Sequence, residues 1–235
     1  MNAPAAAVLA LAGPDEAADL GGYLTRLLRF DKAAAVRVVA SGPAVGVYGR
    51  PPFDVLTLRT LALVAKSEGE REGERESVSS PPGAAAPADL DITVSAGDLL
   101  HAIVPDGTLA LPRPLTGATA WTGFLPPRTG WQPAGELPAA EVETAALAAI
   151  GEFKQRAEAI PDRERTRAAV DRIAAEIWDR PLSLGLPVRA AHAARAMGFL
   201  GSAQSATTAV RSAGRWLRLD APYGTIVLRT GSGLL

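Results

Sequence analysis

The chain has no cysteine, only two histidines and only 5% aromatic residues, and each scarcity closes off a class of chemistry. Without cysteine there can be no disulfide, no thiolate nucleophile and no cysteine-ligated zinc. His101 and His192 stand far apart, and neither has carboxylates around it at metal-ligand spacing, so no metal site is expected. No Gly-x-Ser-x-Gly elbow occurs, nor a phosphate loop ending in Gly-Lys-Ser/Thr. Gly42, Gly46 and Gly49 have the wrong spacing for a dinucleotide loop. A carboxylate-only enzyme using Asp31 and Asp54 is the one catalytic reading left. The expectation is a protein with no catalytic activity and no cofactor.

Long apolar runs are missing too. Ala5 to Ala12 is apolar, but it is short and no Lys or Arg precedes it, so it reads as the start of a strand or helix and not as a signal peptide. No stretch approaches the roughly 18 apolar residues of a membrane helix. A cytoplasmic protein with no membrane partner is expected.

Apolar residues make up 48% of the 235 and charged residues 21%, which is enough for one large domain or two modest ones with a real core. With so few aromatics, alanine, valine and leucine must build that core. The net charge of −1 conceals an asymmetry. Residues 162–235 hold 11 arginines against 6 acids, a net of +5, while residues 1–161 hold 13 basic residues against 19 acids, a net of −6. A basic C-terminal segment on an acidic remainder suits a part that meets polyanions, or a surface of ordinary arginine–carboxylate pairs.

Asp15 opens a helix with Leu20, Tyr23, Leu24, Leu27 and Leu28 at helical spacing, weakened by Gly21-Gly22. Strands follow at 34–40, 44–48 and 54–64, divided by Ser41-Gly42-Pro43 and Gly49-Arg50-Pro51-Pro52. From Lys66 to Ala88 the chain repeats a short charged unit with almost nothing to bury, and a disordered acidic loop is expected. Beyond it come a strand at 91–94, a helix capped by Ser95 with Asp98 three residues on, and a strand at 108–111. The strands at 54–64 and 89–94 could pair as a hairpin across the loop. Trp121 to Trp131 is irregular by force, with Pro126-Pro127 inside it. It is either an aromatic loop that grips a partner through Trp121, Arg128 and Trp131, or a loop pinned between two domains. Long helices are predicted at 139–160 and at 162–178, the second with Val170, Ile173, Ile177 and Trp178 on its apolar face.

The last part reads helix (187–198), turn (Phe199 to Ser202), short helix (203–213) and hairpin (216–230). This order resembles a winged helix-turn-helix, and the resemblance covers residues 162–230 at the level of fold. In the predicted second helix Ala206, Ala209, Val210 and Ala213 pack inward. Gln204, Ser205, Thr207, Thr208 and Arg211 face out, where they could bond base edges or phosphates. Arg215 and Arg218 lie on or beside the wing. His192 reads as a packed or surface histidine. The segments 45–56, 124–131 and 190–193 also resemble a protein type of high-GC bacteria, in keeping with 21 arginines to three lysines. That resemblance implies no activity, ligand or catalytic residue.

The expectation is thus an α+β fold. An N-terminal antiparallel-sheet domain occupies residues 1–135, with the acidic loop at 66–88. A helical domain of winged helix-turn-helix type follows at 136–235. The function expected is non-enzymatic DNA binding. The alternative is a protein–protein adaptor that uses the same scaffold to meet a partner or a second copy of itself.

Overall fold

The structure, a computed structural model, describes residues 7–64, 89–117, 125–202 and 205–231. The charged tract from Lys66 to Ala88, Trp121 and Gln204 fall outside the described residues. The chain divides into two units, one of residues 1–49 and 59–122, the other of residues 50–58 and 123–235.

The first unit holds β1 (Val8–Ala10), α1 (Pro14–Phe30), β2 (Ala35–Ser41), β3 (Ala44–Gly49) and the second half of β4 (Leu56–Ala62). β5 (Asp89–Ser95), α2 (Ala96–His101) and β6 (Thr108–Ala110) follow. Its strands run in the order β5-β2-β3-β4, while β1 and β6 pair separately with Val8 opposite Ala110. α1 buries Leu20, Tyr23, Leu24 and Leu27 along one stripe. Pro14 has no N–H to leave unbonded in its first turn, and Asp15 and Glu16 meet the positive end of its dipole. α2 starts where the capping pattern places it, with the Ser95 hydroxyl accepting from the Asp98 N–H at 3.2 Å. β2 buries Val36, Val38 and Ala40, and between them Arg37 forms a two-pronged pair with Asp91 at 2.6 and 2.7 Å.

The hairpin considered between the strands at 54–64 and 89–94 does not form. β5 pairs with β2 instead, with Val36 opposite Val94 and Val38 opposite Ile92. β4 has its neighbours in β3 and β10, so β5 takes the outer side of β2.

In the second unit the first half of β4 lies against β10 (Gly224–Arg229), with Leu56, Thr57 and Leu58 opposite Val227, Ile226 and Thr225. The other elements are β7 (Gln132–Pro138), α3 (Ala139–Glu158), α4 (Arg167–Trp178), α5 (Val188–Ala196), β8 (Thr207–Ala213) and β9 (Trp216–Ala221). The strand order is β4-β10-β9-β8-β7, antiparallel throughout its paired registers. α3 packs on α5, and the buried positions of both are small: Val142, Ala146 and Ala149 on α3, Ala190, Ala193 and Ala194 on α5. Such residues let helix backbones approach closely, which is how a core poor in aromatics reaches high density. α4 joins through Ile173 and Ile177, which cluster with Ala149 and Val188.

The expected winged helix-turn-helix is absent, because the segment assigned to its second helix is strand β8. Thr207, Thr208 and Val210 are β-branched and alternate, with Thr208 and Val210 buried. Gly214-Arg215 then turns the chain into β9, with Ala213 opposite Trp216 and Gly214 in the left-handed region at φ 56°. A two-residue turn after alternating residues favours a hairpin over a helix of the same composition. The fold is therefore antiparallel sheet with a few helices in each unit, not an α+β domain followed by a helical one.

Candidate functional site

The second unit contains a cavity of about 580 Å³ among α3, α4, α5 and the loop before β4. Ile150 of α3 and Ala174 and Ala175 of α4 supply apolar surface to its lining. Along its length rings follow one another. Phe153 lies 5.9 Å from Trp178, Trp178 stacks on His192 at 4.5 Å, and His192 meets Phe53 at 4.8 Å. Each is brought there by a different element, since Phe153 is on α3, Trp178 ends α4 and His192 is in α5. Phe53 is set by a tight turn in which its N–H donates to the Pro51 carbonyl at 2.8 Å.

The lining also carries charge. Arg189 hydrogen-bonds the Asp179 carboxylate and lies 4.0 Å from Asp54. Both members of the first pair sit at the unfavourable end of their helices. Arg189 is in the first turn of α5, where the dipole is positive, and Asp179 follows the last turn of α4, where it is negative. Pairing offsets both penalties. The Arg189 Nε is buried without a hydrogen-bond partner among the described residues. Asp54 holds the left-handed backbone at φ 54°, which Asp tolerates better than most residues and which aims the chain from the Pro51-Pro52 turn into β4. Burial pushes the His192 imidazole below its usual pKa, and the positive charge of Arg195 adds to the effect. The ring is therefore neutral at pH 7. Among the described residues no three His, Asp or Glu side chains converge to hold a metal ion.

Residues 4–123 match the Domain of unknown function (DUF8010), just over half of the chain. The chain belongs to that family. Residues 126–233 match a second, the Domain of unknown function (DUF8185). The cavity of this DUF8010 protein draws on both matched segments, Phe53 and Asp54 from one and the helices from the other. No curated protein matches the chain. Among solved structures it is similar to DNA polymerase III subunit beta from Borrelia burgdorferi, at 6% identity and a TM-score of 0.50, over 97% of this chain and 66% of that one. It is also similar to the DNA polymerase sliding clamps from Caulobacter crescentus (12% identity, TM-score 0.49, 96% and 66%) and Pseudomonas aeruginosa (11%, 0.47, 96% and 65%). The chain spans about two thirds of the length of these clamps. The likeness is one of fold. These matches fit a protein type to which no activity attaches, and give no support to the winged-helix resemblance or to a high-GC bacterial origin.

The residues read from sequence as a DNA-facing helix do not form one in this DUF8010 protein. Ser205 and Thr207 are exposed, but Thr208 is fully buried and its hydroxyl donates to the Leu137 carbonyl at 2.9 Å. Arg211 and Arg218 each donate through Nε to Asp220, at 3.1 and 2.6 Å, and the Thr225 hydroxyl reaches the same carboxylate at 2.9 Å. Arg218 also lies over the Trp131 ring at 5.6 Å. Arg215 occupies the exposed β8–β9 turn. Two of the arginines expected to face DNA, Arg211 in the groove and Arg218 on the wing, are thus held by one acid. In the proline loop the Trp131 indole donates to the Pro127 carbonyl at 2.8 Å, and Arg128 is exposed.

Sequence reading missed the cavity because its walls come from four separated places. The signals were local and ordinary: Phe53-Asp54 after a proline pair, Trp178-Asp179 at a helix end, and Arg189 with His192 three residues on. Only packing brings them together. Asp31 and Asp54, the pair left open for carboxylate chemistry, lie in different units.

Proposed function

We propose that this DUF8010 protein is a non-enzymatic protein-interaction module, which receives a segment of a partner protein in the ring-lined cavity of its second unit. The observation that carries this reading is the ladder Phe153–Trp178–His192–Phe53 lining a cavity of about 580 Å³. That volume is of the size that buries a compact ligand or a few side chains, and aromatic walls with a few convergent polar groups characterise such sites. Large aromatic residues also carry a disproportionate share of binding energy where proteins meet. The reading rests on the cavity and not on the fold likeness to polymerase subunits.

The test is to pan a library of random linear heptapeptides against the full chain and against Ala175→Trp. Ala175 is an exposed position of α4 at the cavity wall, so the larger side chain fills the recess without disturbing the core. Peptides recovered on the wild type are expected to lose binding to the variant. Recovery of none, or equal binding to both proteins, would overturn the reading.

A further inference from the structure

The charged residues of the lining carry information about the cavity's occupant. Two carboxylates, Asp54 and Asp179, flank one guanidinium, that of Arg189. With His192 neutral, the lining has a net charge of −1. Arg189 does not invite an anion. Part of its guanidinium is bonded to Asp179, another part faces Asp54, and its remaining Nε is buried. A carboxylate entering there would approach two like charges. The acids are more accessible than the cation between them: Asp54 and Asp179 side chains are 37% and 58% exposed, against 18% for Arg189. A carboxylate has about four lone-pair positions, so each can take a further donor beside the bonds it already makes.

The walls point the same way. The ring faces of Trp and Phe present negative quadrupole density and attract a cation within about 6 Å of the centroid. Trp178 and Phe53 both line the cavity beside an acid, Trp178 adjacent in sequence to Asp179 and Phe53 to Asp54. Ile150, Ala174 and Ala175 add apolar surface to the same lining.

From this lining we infer that the partner segment is basic and apolar together, placing an arginine or lysine side chain against the rings and the Asp54 and Asp179 carboxylates while a neighbouring aliphatic or aromatic residue packs on Ile150, Ala174 and Ala175. The inference rests on the interaction reading above and names its partner chemistry.

Peptides whose binding is lost on Ala175→Trp are the probes. They are expected to contain Arg or Lys beside a large apolar residue, and replacing that Arg or Lys by Gln should weaken binding at least about tenfold, with affinity falling as salt rises. On the protein side, Asp54→Asn should weaken the same peptides. Because Asp54 also holds the left-handed backbone before β4, the peptide substitution is the deciding arm, as it leaves the protein untouched. Cavity-dependent peptides that are acidic or uncharged, or that keep their affinity after loss of the basic residue, would overturn this inference while leaving the interaction reading intact. Peptides indifferent to Ala175→Trp would overturn the interaction reading itself.

Discussion

The imidazole of His192 stacks on the indole of Trp178, with centroids 4.5 Å apart and planes inclined by 17°. The neutral ring packs well, whereas its protonated form would be partly desolvated and close to Arg195. The pKa in the folded protein lies below the value of 6.5 for the free side chain, so the unfolded chain takes up the proton more readily. The stability contributed by this arrangement is present above the unfolded value and is lost as pH falls through the lowered folded value. Thermal unfolding followed from neutral pH to about pH 5 should show a steeper loss of Tm for the wild type than for His192→Phe, which keeps a ring but cannot titrate. Parallel losses would count against it.

Two glycines should respond to alanine in opposite directions. A Cβ on Gly21 of α1 would meet only Leu100 and Ile103 side chains at 3.9 and 4.0 Å, ordinary contact distances. Gly21→Ala is expected to raise stability by about 0.5–1 kcal/mol through helix propensity. A Cβ on Gly224 would lie 2.6 Å from the ring of Phe199, which is 2% exposed and has no room to retreat. Gly224→Ala should cost about 1–3 kcal/mol. Denaturant midpoints at unchanged m-value would measure both.

Asp220 is the shared acceptor of Arg211, Arg218 and Thr225. Asp220→Ala is expected to destabilise by about 1 kcal/mol, because all three donors lose a charged partner yet can be partly rehydrated. Arg211→Ala should cost less, since the carboxylate keeps two donors. A larger loss from Arg211→Ala than from Asp220→Ala in chemical denaturation would contradict this ordering.

Removing the cation at the cavity should sharpen its preference. Arg189→Met removes the one positive charge from the lining that holds Asp54 and Asp179, and affinity for basic peptides is expected to rise by several-fold at low salt. Unchanged or weaker binding by a variant that remains folded, judged by its circular dichroism, would argue that the acids do not receive the peptide.

Much of the local structure was legible in the sequence. The stripe from Leu20 to Leu27, the Ser95 cap and the hairpin at 216–230 each rest on contacts within a short stretch of chain. β8 was misread because its alanines suit a helix as well as a strand, and the decision is made by pairing with β7 and β9, which no window of neighbouring residues contains. The same holds for strand order, where β5 joins β2 across a long stretch of chain. The cavity was the least legible, since no one of its rings has an unusual setting in its own segment.

β4 crosses from the second unit to the first between Leu58 and Arg59. The portion matching DUF8185 begins only at residue 126, so it lacks the three residues that zip along β10 and also the Phe53-Asp54 turn. Split at that border, the downstream piece would carry a naked strand margin, a ready template for self-association, beside a recess missing one side. The two segments are thus not free-standing cassettes: a gene fusion or truncation that severs them should yield an insoluble product.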